Sequence, residues 1–346
     1  MTVRTRDDED IIGAHLAFHL SAGVDFVIAN DDRSVDGTRD VLEEYERRGL
    51  LHLIRRDDED FVPGVWVDKM ARLAAAEFGA DWIFHTDADE FWWPRGGNLR
   101  DVLAAMPARF GVVRGIWRHF AARPDDGSHF AERMTVRLAG HGPWMGVEHT
   151  FHPNVKVAHR ADPSIAVRRG NHDVSTTLPM LRSWLPFEVL HFPLRTLAQA
   201  ARKYTAWMPV LDRGVYVASH VELAADALRA RAFGSFYERY VVDEPRLEVG
   251  LAEQTMSIDA RLRNALRRLS DNSDAPLPLG TSFPHPSGIL DFPAFDVEQE
   301  ALLADDAMSL ADPVERARRR MDGIEQRLGA LERRSVRRVL SRRLAV

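Results

Sequence analysis

Two carboxylates, Asp87 and Asp89, stand two residues apart after the apolar run Trp82-Ile-Phe84, and Glu90 follows them. In an extended chain the side chains of residues i and i+2 leave the same face. Two acidic oxygens on one face suit a hard divalent cation, Mg²⁺ or Mn²⁺, which would in turn hold a diphosphate. The same residues would equally serve as a solvated acidic turn. A second stretch, Asn30-Asp-Asp-Arg-Ser-Val-Asp-Gly-Thr38, follows the apolar run Phe26–Ala29. Asp31 and Asp32 sit where that run ends, placed to accept hydrogen bonds from a ribose or a base. Ser34 and Asp36 are placed to cap a following helix, and Gly37 to permit a tight turn.

Both stretches need strands that end at a common edge, and the N-terminal part of the chain supplies them. Strands are expected at Thr2–Arg4, Phe26–Ala29, Leu51–Ile54 and Asp81–Thr86, alternating with helices at Glu9–Ser21, Gly37–Arg48 and Trp66–Phe78. Asp7 and Asp8 are available to cap the first helix. Strands alternating with helices imply a parallel sheet, whose ligands bind at the carboxyl ends of the strands. Strands then follow at Phe110–Trp117, Arg133–Leu138 and Val155–His159 without long helices between them, which suggests an antiparallel extension. Thr196–Ala206 and Ile258–Leu269 read as helices.

Together the two acidic stretches resemble glycosyltransferase family 2 and its GT-A relatives, whose pattern is a strand, an acidic turn of the kind Asp-Asp-x-Ser-x-Asp-Gly-Thr, and a later Asp-x-Asp. Thr86-Asp-Ala-Asp-Glu-Phe91 looks like the Asp-x-Asp-Glu-Phe variety. Gly170-Asn-His-Asp173 and Leu190-His-Phe-Pro-Leu-Arg195 extend the resemblance over residues 2–270. Arg33 departs from it, standing where the family often has Gly. The resemblance implies an α/β fold, a mixed GT-A sheet flanked by helices, with a C-terminal helical tail added. It implies transfer of a sugar from a nucleotide-sugar donor to a glycan, lipid-linked or small hydroxyl acceptor, with Mn²⁺ or Mg²⁺ as cofactor. Asp31 or Asp32 would contact the nucleoside. Asp87 would lie toward the ribose or a metal-bound water, and Asp89 would ligate the metal. GT-A enzymes commonly add a histidine ligand from late in the domain, for which His191 ranks ahead of His172.

Other residues extend this chemistry. Arg195 could hold the departing diphosphate. Inverting transfer needs a base for the acceptor hydroxyl proton, with Asp173 and Glu148, each beside a histidine, as candidates; retaining transfer would not need it. Lys69 and Arg72, on the helix before the Asp-x-Asp strand, would offset phosphate charge or simply face solvent. Phe91-Trp-Trp-Pro94 would support an acceptor sugar ring or belong to the core.

The rest of the sequence bounds these readings. The chain has 346 residues, 45% of them hydrophobic and 28% charged, as in ordinary globular proteins. It has no cysteine, which excludes disulfides, thiolate chemistry and iron–sulfur clusters. A net charge of −6 argues against a nucleic-acid partner. No Gly-x-Gly-x-x-Gly or Gly-x-x-x-x-Gly-Lys-Ser/Thr follows the first strand, which disfavours Rossmann dehydrogenases and P-loop NTPases. A nucleotidyltransferase on a related scaffold, or a non-catalytic sugar or nucleotide binder, remain alternatives. Residues 1–270 read as the catalytic domain, 271–300 as a linker with five prolines between Asp271 and Phe295, and 301–346 as a tail. From Val314 onward the tail has eleven Arg against four acidic residues, a basic amphipathic helix suited to an anionic membrane surface or to self-association. With neither an apolar span nor a signal-peptide core at Met1-Thr-Val-Arg, the expected location is the cytoplasm, with peripheral contact at the inner membrane face through the tail.

Overall fold

A computed structural model describes residues 1–55, 65–140, 151, 154–167, 171–214, 217–283 and 290. Glu148 and the tail expected over 301–346 lie outside these residues. The first half runs β1 (Thr2–Thr5), α1 (Ile12–Ser21), β2 (Val27–Asp31), α2 (Thr38–Arg47), β3 (Leu51–Arg55), α3 (Val65–Ala76) and β4 (Trp82–Asp87). It continues through β5 (Glu90–Pro94), α4 (Leu99–Ala104), β6 (Val112–His119), α5 (Phe130–Arg133), β7 (Val136–Leu138), β8 (Val155–Arg160), β9 (Ala166–Val167), β10 (Val174–Ser175) and β11 (Phe187–His191). The remainder is α6 (Leu197–Thr205), α7 (Met208–Asp212), α8 (Ser219–Arg229), α9 (Phe233–Glu238), α10 (Glu244–Ala252), β12 (Met256–Ile258) and α11 (Arg261–Leu269). No helix among the described residues is long and apolar enough to cross a membrane.

The fold is a mixed α/β sheet flanked by helices. Its eight strands lie in the order β3-β2-β1-β4-β8-β6-β11-β5. The first four are mutually parallel. β8 runs antiparallel to both β4 and β6, β11 is parallel to β6, and β5 is antiparallel to β11. The parallel strands are covered on both faces, which is why they read as continuous apolar runs. Val27 and Ala29 of β2 join the cluster containing Ile12, Leu16 and Phe18 of α1, while Ile28 joins Met70, Ala71 and Ala74 of α3. Three strands lie between β4 and β5 in the sheet, yet only Ala88 and Asp89 separate them in the chain, so the sheet curls to bring the edge strand back to the end of β4. Gly115 on β6 is closely covered by side chains of β5 and β11: a Cβ there would lie 2.8 Å from both the Trp92 ring and Val189.

Several local expectations need correction. Asp7 and Asp8 do not cap α1, whose N-cap is Ile11 with no side-chain bond. Asp7 adopts φ 53° and accepts the Val35 amide at 2.8 Å instead. Gly37 has an ordinary φ of −72°, and it is Arg33, at φ 61°, that takes the left-handed conformation of the turn. An arginine therefore carries a backbone conformation that glycine adopts more easily. Asp36 does bond the Thr38 amide at 3.0 Å, but Ser34 accepts from Asp7. The segment Arg133–Leu138 does not extend the main sheet: its start belongs to α5, and β7 pairs with β12.

Two larger features were not anticipated. Helices α6 to α10 build a second apolar cluster around Tyr204, Phe233, Phe236 and Tyr240. The described part of the proline-dense segment is packed on the body rather than held away from it. Leu277, Phe283 and Leu290 are buried in the main core, and the Leu277 and Leu290 amides bond Glu132 and the Ser21 carbonyl. Leu277→Ala should therefore lower the unfolding free energy by about 2–4 kcal/mol in urea titrations, as a core deletion does; a loss near zero would restore the linker reading.

Candidate functional site

The carboxyl ends of β1 and β4 open onto a cleft of about 240 Å³. Asp32, Asp87, Asp89, Glu90 and His191 line it, together with a basic wall of Arg4, Arg6, Arg202 and Lys203. Two larger depressions, of about 700 and 790 Å³, lie away from these carboxylates. The sheet register sets the centre of the cleft. His191, last residue of β11, pairs with Glu90 of β5 on one side and His119 of β6 on the other. The turn after β4 is pinned to this row, because the Phe192 amide donates to the Asp89 carbonyl at 2.9 Å. Asp89, Glu90 and His191 thereby offer ligand atoms within 4.8 Å of one another.

Each carboxylate of the centre meets an ammonium group. Lys156 of β8 has 1% of its side chain exposed and lies 3.0 Å from Asp87 and 2.9 Å from Glu90. Lys203 of α6 lies 2.5 Å from Asp89 Oδ2, while His191 Nε2 is 3.8 Å from Asp89 Oδ1. Burial acts to raise the Asp89 carboxyl, but Lys203 and then Arg195 outweigh it and hold the group below its ordinary value. Asp87 is likewise held down, by Lys156 and Arg4 against burial. Glu90 behaves oppositely: burial pushes it up to about 8, with Lys156 offsetting only part. Burial, and then the neighbouring His119, keep His191 well below the ordinary histidine value, so its imidazole is neutral. Its Nδ1 lies 2.9 Å from His119 Nδ1, and its ring stacks on Trp117 with centroids 4.5 Å apart.

The other expected residues fall in different places. Asp32 faces the cleft, whereas Asp31 is turned inward, accepting the Ser34 amide at 3.0 Å and Arg39 at 2.7 Å. His172 sits behind Trp117, donating Nδ1–H to the Val155 carbonyl at 2.7 Å, and does not line the cleft. Asp173, beside it, does not line the cleft either. Arg195 is fully buried, bound to Asp8 at 2.9 Å and Asp10 at 2.6 Å, and behaves as an internal tie between β11 and the start of α1. Lys69 stacks over the Trp66 ring at 4.2 Å, and Arg72 donates to the Ile165 carbonyl; neither reaches the cleft. Phe91 and Trp92 are core: Phe91 packs on Phe18 and Phe192, and the Trp92 indole donates to the His85 carbonyl.

Lys156, Lys203 and His119 are functional neighbours that the sequence reading missed. Lys156 left a signal, a lysine inside the apolar strand Val155-Lys-Val-Ala, because a charge there must find a buried partner. Lys203 and His119 left none.

Replacing Arg195 with Met would leave Asp8 and Asp10 without their cation, so Arg195→Met should cost about 3–5 kcal/mol in denaturant unfolding; a loss confined to catalysis would return Arg195 to the substrate. Glu90 supplies a second test. Between roughly pH 4.5 and 8 folded Glu90 keeps a proton that the unfolded chain has released, so this group makes stability fall as pH rises. The stability of Glu90→Gln minus that of wild type should accordingly increase from pH 5 to pH 8 in parallel urea titrations, and a flat difference would place Glu90 in the ordinary carboxylate range.

No family model and no curated protein matches the chain. Among solved structures, S. aureus TarS 1–349 in complex with UDP-GlcNAc is 17% identical over 36% of this chain and 34% of its own, with a TM-score of 0.25. The same protein in complex with UDP is 15% identical over 59% and 64%, with a TM-score of 0.32. The mannosyltransferase PcManGT from Pyrobaculum calidifontis, in complex with GDP-Man and Mn²⁺, is 18% identical over 46% and 43%, with a TM-score of 0.26. The chain thus spans between a third and two thirds of the length of these proteins, and likenesses at such TM-scores establish neither its activity nor its substrate.

Proposed function

We propose that the chain is a glycosyltransferase of the GT-A type that takes its sugar from a nucleotide-sugar donor with the help of a divalent cation. The observation that carries this reading is the convergence of Asp89, Glu90 and His191, with ligand atoms within 4.8 Å, at the carboxyl ends of β4 and β11 and beside a basic wall. The donor set fits a cation of the Mn²⁺ or Mg²⁺ kind: carboxylate oxygens and a neutral imidazole nitrogen, with no sulfur. Such a cation would neutralise the charge that develops on a departing nucleoside diphosphate.

The chain's own groups account for the remaining work. Asp32, at the end of β2, is placed to accept from the nucleoside. Asp87, fixed by Lys156, is the carboxylate toward the ribose. Arg4, Arg6, Arg202 and Lys203 offer positive charge along the path of the diphosphate, where fixed cations stabilise the transition state more than the ground state. The acceptor is a hydroxyl compound, and the side of the cleft bounded by Trp207 and His220 offers it aromatic surface.

The test is a thermal-shift screen of UDP, GDP, dTDP and CDP with and without Mn²⁺, since a ligand that binds the folded state raises its apparent stability. One nucleoside diphosphate should raise the melting temperature more with Mn²⁺ than without it. The matching nucleotide sugar should release that diphosphate slowly even without acceptor. Asp89→Asn should keep the fold by circular dichroism and lower this turnover by about 10²–10³-fold, as loss of a transition-state charge partner does. No response to any of the four nucleotides would remove the donor reading, and release of pyrophosphate would point to nucleotidyl transfer.

A further inference from the structure

The geometry points to Lys203 as an internal counter-ion of Asp89 that a divalent cation displaces and that then turns to the donor's diphosphate. This rests on the cation reading of the site. The two lysines of the centre differ in the one property that matters for displacement. Lys156 is 1% exposed, stands on a strand inside the sheet, and is held from two sides by Asp87 and Glu90. Lys203 keeps 34% of its side chain exposed, stands on α6 in the cleft wall, and among the described residues has one carboxylate partner, Asp89, with the Pro193 carbonyl 3.4 Å away. Asp89 itself is only 8% exposed, so the ammonium is the accessible member of the pair. Its departure would uncover the carboxylate without opening the core.

The positions of the ligand atoms make that departure necessary. His191 lies toward Asp89 Oδ1, and Lys203 holds Oδ2 at 2.5 Å. A cation bound by Asp89, Glu90 and His191 would sit within a few ångströms of the ammonium, where like charges repel strongly. Lys203 has a flexible four-carbon stem and three rotatable donors. It also has a destination, because the cleft it lines is the one bounded by Arg4, Arg6 and Arg202, where a diphosphate would lie. The donor-free site is therefore charge-balanced by its own lysines. A cation alone must compete with Lys203, whereas a cation arriving with a diphosphate gives the lysine a new partner. Cation and nucleotide should then strengthen each other's binding, and Lys203 should carry that coupling.

The experiment is a Mn²⁺ titration followed by the electron paramagnetic resonance signal of free Mn²⁺, on full-length wild type, Lys203→Met, Lys203→Gln, Lys203→Arg and Asp89→Asn. Each protein is titrated with and without the nucleoside diphosphate that most stabilises wild type. Without nucleotide, Lys203→Met and Lys203→Gln should bind Mn²⁺ about tenfold more tightly than wild type, because the competing ammonium is gone. They should also lose most of the gain that nucleotide confers. Lys203→Arg should stay at or below the wild-type affinity, and Asp89→Asn should lose Mn²⁺. Folded Met and Gln variants that bind Mn²⁺ no tighter than wild type would overturn the inference. So would failure of both to fold, since a displaceable group cannot be essential to the core, or absence of Mn²⁺ binding in every protein. The donor reading is scored separately: if no nucleotide stabilises wild type but the Lys203 variants still gain Mn²⁺ affinity, the donor reading fails and the competition at Asp89 stands.

Discussion

An ammonium group withdrawn from water needs negative charge and hydrogen-bond acceptors close at hand, and Lys156 finds the Asp87 carboxylate at the end of β4 and the protonated Glu90 carboxyl at the start of β5. Those two strands are joined by a two-residue turn although they occupy the fourth and eighth places of the sheet. The lysine stands on β8, inside the curl this connection imposes, with the Trp117 ring 5.4 Å from its charge. It fixes the carboxylates on either side of Asp89, and so aims Asp89 into the cleft. Glu90 completes the triangle in a state that burial holds near neutrality.

The site is as much a matter of strand register as of side-chain identity. A slip of one residue between β11 and its neighbours would move His191 out of line with Glu90 and His119 and turn it to the other face. The aromatic run Phe91–Trp93 resists such a slip, because each ring is seated against a partner: Phe18, Phe187 or Arg261. Hydrophobic packing at the sheet edge thus does electrostatic work one residue away. Arg195 plays a matching part just beyond His191, where its salt bridges to Asp8 and Asp10 anchor the chain leaving β11.

What the sequence made legible is the part governed by local pattern. The strands of the parallel half emerge within a few residues of their places, because each is a short apolar run between turn residues. Asp32, Asp87, Asp89 and His191 stand out because each closes such a run. Asp31 and Asp32 could not be told apart, since which of two adjacent carboxylates faces inward depends on Arg39, a turn away on α2. Helices α7 to α10 were not read from the sequence; α7 and α9 span only five and six residues, and the stop after α8 is made by Arg231 in a left-handed conformation rather than by a glycine. Lys203 and His119 belong to the site through contacts across 114 and 72 residues of chain, which no local pattern encodes.

Those separations bear on how the protein is made. Asp10 and Arg195 lie 185 residues apart, and Asp89 waits 114 residues for Lys203. Contacts of such sequence distance close slowly, because loop entropy is lost before any of them gives a return. A chain emerging from the ribosome exposes Asp87, Asp89 and Glu90 long before Lys156 and Lys203 exist to neutralise them. During that interval the half-made sheet carries a cluster of like charges at the edge where β8 has yet to dock. Such a cluster repels other chains in the same state and discourages edge-to-edge pairing.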